Sequence, residues 1–297
     1  MRRKSVLLSL TILCIFFLTA TGNTQDFLKK FSLKFSGGLG STAGGDFNAF
    51  PDGLNSLATD LAPFLGLTKT GELENPNWGF DFEGEFLYSL SENFGVGLGV
   101  GYQRRSKETS LKMALESLMS ATLTWEPELT IIPINLSGYY FFPVGSKMNA
   151  FLKAGIGYYF AKVYLKLREE YASFLGLEGW NEDEFEAKDS GFGFHGGLGI
   201  EYNLTGTISL YAEGMGRYLK ITDLEFEGTT TYASGVIKGS GMLWYLEEFL
   251  DANGEYYPGL QISEQKPTDP AYRNVREAEV DFSGFSFRIG IKIRFGK

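Results

Sequence analysis

The sequence predicts an all-β fold: an eight-stranded antiparallel up-and-down transmembrane β-barrel with short turns at one end and long loops at the other. Three observations predict it. Eight segments alternate apolar and polar residues with period two, the mark of a strand whose two faces meet different surroundings. Four long and three short connections join them in strict alternation, which puts all the short ones on one side. Glycine (38 residues) and aromatics (15%) are abundant, and no segment after residue 22 has the length and apolarity of a membrane helix.

Residues 1–22 read as a secretory signal peptide. Arg2, Arg3 and Lys4 form a basic start, residues 6–18 an apolar run, and Ala20-Thr21-Gly22 a small-residue exit. The run is too short to span a bilayer. It contains Cys14, the only cysteine; Leu13 before it is too large for a lipidation site. Residues 23–297 are then the barrel domain, with no disulfide to staple it. Discounting the three cations of the signal takes the net charge from -9 to -12. So acidic an exported chain is not built to bind nucleic acid.

The first strand, residues 30–40, sets Phe31, Leu33, Phe35 and Leu39 against Ser32, Lys34 and Ser36. A long loop follows over 41–77. In it Leu54, Leu57, Leu61 and Leu65 recur at helical spacing, so a short amphipathic helix is expected. The second strand, 78–90, carries Trp78, Phe80, Phe82, Phe86, Tyr88 and Leu90 on one face and Asp81, Glu83 and Glu85 on the other. After a turn at 91–93, the third strand (94–105) alternates Phe94, Val96, Leu98, Val100 and Tyr102 with four glycines, Gln103 and Arg105. Alternate glycines weaken a soluble strand, but inside a narrow barrel they leave room for long side chains opposite.

The second loop, 106–126, has Leu111, Leu115, Leu118 and Met119 at helix-like spacing. The fourth strand (129–142) contains Pro133, which has no N–H for a ladder and is expected near a rim. The fifth strand (149–163) puts Lys153, Gly155, Gly157 and Tyr159 inward. The third loop, 167–190, is acidic around 181–186 and reads as solvated. In the sixth (191–203) and seventh (207–220) strands His195, Glu201, Glu213 and Arg217 share the inward parity. The fourth loop, 223–278, holds a helix-like stretch at 242–250. The eighth strand starts near Glu279. Its parity slips between Phe282 and Phe285, so a β-bulge is expected at Ser283-Gly284.

That last strand ends Arg288-x-Gly290-x-x-Ile293-x-Phe295, which resembles the terminal recognition strand of bacterial outer-membrane proteins; here Gly296 and Lys297 follow the aromatic. The chain as a whole looks like the OmpA-like family of small outer-membrane β-barrel domains. The resemblance rests on that strand and on 192–217, a Gly-rich strand, the turn Glu201-Tyr202-Asn203-Leu204-Thr205, and Ser209-Leu210-Tyr211-Ala212-Glu213 with Arg217 four residues on. It implies residence in the bacterial outer membrane, surrounded by its lipid, and insertion by the barrel-assembly machinery through Arg288, Gly290, Ile293 and Phe295. It also implies a monomer, with the long loops as the place where an extracellular ligand would be met.

The inward parity collects thirteen polar candidates: Lys34, Asp81, Glu83, Glu85, Arg105, Lys153, His195, Glu201, Glu213, Arg217, Arg288, Lys292 and Arg294. An eight-stranded bore is just wide enough to be filled by side chains, so opposite charges there form a salt-bridged plug. The expected function is a structural or surface-interaction barrel with a largely closed lumen. One alternative is a narrow porin or carrier for small or hydrophobic solutes, with these charges as an ion path. A second is a lipid-modifying enzyme using His195 as base, but no serine motif stands beside it. No metal-ligand spacing, phosphate-cradling loop or nucleophile motif occurs, so no catalytic residue, metal or cofactor is expected.

Overall fold

The computed structural model describes residues 29–116, 118–173, 175–250 and 254–295; the signal-like segment 1–22 lies outside them. In chain order come β1 (Phe31–Ser41), β2 (Gly44–Gly45), a 3-10 turn (Asp46–Asn48), α1 (Ala49–Phe64), β3 (Thr68–Gly71), β4 (Trp78–Ser89), β5 (Phe94–Ser106), β6 (Thr109–Leu115) and β7 (Met119–Pro143). Then follow β8 (Met148–Ser173), β9 (Glu178–Asn203), β10 (Ile208–Tyr218), β11 (Lys220–Ile221), β12 (Glu225–Tyr232), β13 (Gly235–Leu250), β14 (Glu255–Ser263), β15 (Tyr272–Glu277), β16 (Val280–Asp281) and β17 (Gly284–Arg294).

The strands β1, β4, β5, β7, β8, β9, β10 and β17 pair antiparallel in that order, and β17 returns to β1. The pairing closes on itself, so the ring has no free edge. Its tight turns are held by side-chain hydroxyls. Ser91 Oγ accepts the amides of Asn93 and Phe94, and Thr205 Oγ1 accepts those of Thr207 and Ile208. At the other end β3, β6, β12, β13, β14 and β15 extend the same hydrogen-bonded network beyond the ring, and β2, β11 and β16 form a small separate sheet.

The alternation read in the sequence governs both faces. Phe80, Phe82, Leu98, Phe192, Phe194, Phe285, Phe287 and Ile289 stand exposed on the outside; Asp81, Glu83, Glu85, Lys153 and Arg288 are buried inside. Pro133 sits within β7 at a fault in the β5–β7 ladder, which runs to Val100↔Ile134 and resumes at Gln103↔Ile131. The missing N–H therefore falls where no ladder bond is made.

Four loop expectations need correction. The acidic third loop is a continuation of strands: β8 and β9 pair from Met148↔Tyr202 to Ala172↔Glu178. Alternate carboxylates Glu182, Glu184 and Glu186 face outward and meet Lys166, Arg168, Lys162 and Lys188. Residues 111–115 are β6, paired with β7, and 242–250 belong to β13, paired with β14 and β15. Leu111 and Leu115 are four apart, which satisfies period two as well as a helix, and Leu118 lies in the turn between β6 and β7; the long-range ladder decides. Leu54 and Leu57 are three apart, which no strand face allows, and α1 is the helix the spacing predicts. Finally, the slip near 283 is a break, not a bulge. Val280 and Phe282 belong to the buried core, Ser283 N–H bonds Asp281 Oδ1, and β17 starts at Gly284.

The inward face changes chemistry along its length without changing parity. Beyond Tyr159 and Ile131 the same face carries Ala161, Val163, Leu165, Leu129 and Trp125. With Phe47, Ala58, Leu219, Phe226, Leu243 and Phe282 they make an apolar core above the charged ring. Helix α1 closes it on one side. A Cβ on Gly53 would lie 1.7 Å from the Pro258 carbonyl oxygen, so glycine is what lets α1 sit so close to β14.

Candidate functional site: the charged interior of the ring

Register brings the interior charges together. Lys34 of β1 stands opposite Glu85 of β4, and Glu213 of β10 opposite Arg288 of β17. From the turn end inward, the first cluster is Glu201 with Lys292 at 3.0 Å and with Arg294, whose guanidinium also donates to Asn203 Oδ1 at 2.7 Å. Above it lies an aromatic layer of Tyr139, Phe141, Phe151 and Tyr211. Lys34 Nζ is 4.6, 4.7 and 4.3 Å from the ring centres of Tyr139, Phe151 and Tyr211, within cation–π range.

The next cluster crosses the bore. Lys34 is 3.7 Å from Glu85 and 3.5 Å from Glu213, and donates to Tyr139 Oη at 3.0 Å. Lys153 reaches Glu83 at 2.7 Å and Glu85 at 3.3 Å. Arg288 contacts Glu83 at 3.1 Å and also Glu213. Asn135 Nδ2 donates to Glu83 Oε2 at 3.0 Å, and Tyr139 donates to Glu85. Three carboxylates and three cations thus tie opposite walls together. Each ion has partners, without which burial would cost several kcal/mol by order of magnitude.

Nearest the loop end, Arg105 pairs with Asp81 at 3.1 Å and Ser286 donates to the same carboxylate. Arg217 donates to the Phe282 carbonyl at 3.0 and 2.8 Å and to Gln103. That carbonyl is free because the chain breaks between β16 and β17.

His195 lies apart from the acids. Its Nε2 is 2.9 Å from Ser137 Oγ, across the intervening strand β8. Register places Ser137, Gly155 and His195 in one row, and a Cβ on Gly155 would come within 2.8 Å of Nε2. Nδ1 has no hydrogen-bond partner, and Glu201, expected on the same face, is engaged by Lys292 and Arg294. Among the described residues no group of three or more His, Cys, Asp or Glu gathers in metal-binding geometry.

All thirteen sequence candidates point inward. Three clusters hold twelve of them, and His195 stands outside these. The sequence reading missed Phe141 and Phe151, which share the parity of Tyr139 and Lys153 and could have been found from it. It also missed the Phe282 carbonyl, for which the sequence carries no signal. Of the terminal pattern, Arg288 is in the central cluster, Gly290 leaves space for the Tyr211 ring, Ile293 pairs with Leu33, and Phe295 stacks on Phe86 with centroids 6.4 Å apart.

A closed ring with charges inside and an exposed apolar belt outside inverts the arrangement of a soluble protein. In lipid a closed barrel satisfies every backbone group, and only such an environment makes the belt favourable. The molecule is therefore an antiparallel membrane β-barrel. It belongs to the outer membrane protein β-barrel domain family, whose model matches residues 10–237, and it resides in the bacterial outer membrane. The final strand β17 lies beyond the matched residues and joins the ring by its pairing with β1 and β10.

Solved structures with a similar course of chain include Neisserial surface protein A, at 10% identity and TM-score 0.39 over 90% of this chain and 97% of that one. The outer membrane protein OprG from Pseudomonas aeruginosa gives 10% and 0.36 over 90% and 96%. A major outer membrane protein from Thermus thermophilus gives 14% and 0.32 over 89% and 99%. No curated protein matches the chain.

Proposed function

We propose that the protein is a monomeric eight-stranded up-and-down barrel with a closed lumen. Its membrane part is an anchor, and its interactions are made by the strands and helix beyond the ring. The turn end, where β1 begins and β17 ends, faces the periplasm; the extended end faces outward. The supporting observation is the central cluster of Glu83, Glu85 and Glu213 with Lys34, Lys153 and Arg288, which bridges opposite walls of a bore too narrow to spare the space. The apolar core above adds a second barrier. The terminal strand, with Arg288, Gly290, Ile293 and Phe295, is what the assembly machinery reads, and outer-membrane lipid surrounds the belt.

The test is solute uptake. Liposomes carrying the refolded protein should swell in small neutral solutes no faster than empty ones; swelling that falls with solute size would establish a porin instead. Orientation is checked by Ile237→Cys at the exposed β12–β13 tip, which a membrane-impermeant maleimide should label in intact cells.

A second reading, a carrier for small hydrophobic solutes, is favoured by a cavity of about 320 Å³ among Phe50, Trp125, Leu165, Phe185, Leu243 and Leu260. Quenching of Trp125 fluorescence by a small apolar probe, abolished in Leu243→Gln, would support it. The protein is read as a non-enzyme: His195→Ala should leave the acylation of membrane lipid unchanged.

A further inference from the structure

The outer wall carries one feature that a plain anchor does not need. On four adjacent strands the apolar belt ends along one register row, Ile132↔Phe160↔Ser190, with Tyr102 on β5 beside it. Two residues further on, about 7 Å along the strands, lies the row Arg104↔Thr130↔Lys162↔Lys188. All four side chains face outward, and the three cations remain open, Arg104 at 53%, Lys162 at 40% and Lys188 at 70% side-chain exposure.

Lys162 and Lys188 are direct cross-strand partners, and like charges so placed repel. The row above supplies only two carboxylates to the three cations. Glu128 is 2.8 Å from Arg104; Glu186 is 2.6 Å from Lys162 and also touches Lys188. One positive charge is left over at the polar edge of the belt. The opposite flank differs: β1 ends in Ser41, β4 begins with Trp78, β17 begins with Gly284, and beyond β10 the cation Lys220 is held by Glu279 at 2.6 Å.

We propose that Arg104, Lys162 and Lys188 form a binding site for the phosphate groups of phosphorylated lipid in the surrounding leaflet. The row lies at the height where headgroups begin, continuous with the lipid-facing belt. Lysine and arginine provide charge-assisted donors to phosphate oxygens, whereas the Thr130 hydroxyl donates to Glu128 Oε1 at 3.1 Å. The lipid, not free phosphate, is the ligand because the row borders the surface on which the acyl chains lie. A phosphate between Lys162 and Lys188 would relieve the repulsion that Glu186 alone offsets. This inference rests on the extended end facing the outer leaflet.

The test uses the whole refolded protein in detergent with a bis-phosphorylated glycolipid or its phosphate-free form, and native mass spectrometry to count retained lipid. The wild type should retain the phosphorylated form preferentially. The double variant Lys162→Gln/Lys188→Gln should lose that preference by about fivefold or more, the factor for a single cation near an anionic surface. Lys166→Gln, two outward positions above Lys162, should not. Equal retention of both lipids by the wild type, or unchanged preference in the double variant, would overturn the site. A loss of preference equal in Lys166→Gln would also overturn it, showing general surface charge only. Circular dichroism of each variant confirms a folded barrel. Retention in detergent depends on neither conductance nor orientation, so its failure is separate from a failed swelling or labelling experiment.

Discussion

Glu83 is held by donors from three other strands: Lys153 of β8, Arg288 of β17 and Asn135 of β7. Replacing it with Ala takes a carboxylate from two buried cations at once, leaving Lys153 with Glu85 alone and Arg288 with Glu213 alone. Breaking a buried pair in this way costs about 3–5 kcal/mol, so Glu83→Ala should lower the unfolding free energy of the bilayer-inserted protein by that much. A loss under ~1 kcal/mol, the size of a surface pair, would show that water reaches the cluster. Gly155 makes a different demand. A Cβ there would sit 2.1 Å from the Leu136 carbonyl oxygen and block the Ser137–His195 bond. Gly155→Val should therefore destabilise by about 1–3 kcal/mol or more, as overpacking does, whereas His195→Gln, which keeps a donor and an acceptor, should cost less. The same unfolding measurement ranks the two.

Among the elements, the segment after β2 is tied back by one carboxylate. Asp46 accepts Arg276 at 2.7 Å and the Glu279 amide at 2.9 Å. Burial works to raise its pKa, but the Arg276 hydrogen bonds and the Glu279 amide outweigh it, so Asp46 sits below the usual carboxylate range. A depressed folded pKa means the tie is fully present above the unfolded value of about 4 and is lost as pH falls through the lower folded one. Asp46→Asn should speed tryptic cleavage after Arg276 several-fold at neutral pH. Wild type should show the matching change only in acid, as faster peptic cleavage of this segment at pH 3 than at pH 4.5. No change in either would mean the tie does not hold the segment.

How far the elements could be read from the sequence follows from the same physics. Strand parity was legible because the outside of the ring meets one medium and the inside another. Phe80 and Asp81 could not exchange places without cost. Leucine spacing did not separate the loops: Leu54 and Leu57 are three apart and lie in α1, while Leu115 and Leu118 are also three apart and sit at the turn from β6 to β7, so only the pairing decides. In the site, parity gathered Glu83, Lys153 and Arg288. It could not rank which charges meet, because that depends on the stagger of strands round the ring. The Phe282 carbonyl that holds Arg217 arises from a backbone break that side-chain pattern does not encode.

At the scale of the whole molecule, two stoppers lie in series on one continuous face. Charged clusters fill the ring, and an apolar core fills the extension where β7, β8 and β9 run on past the belt. This arrangement is what supports the proposed role of the barrel as an anchor. The most direct measurement is single-channel conductance of the refolded protein in a planar bilayer, with insertion verified by protease protection. A closed lumen gives no steps. Steady small steps whose size shifts when Glu213 or Arg217 is replaced by Gln would contradict it, and would make the charged interior a conduction path.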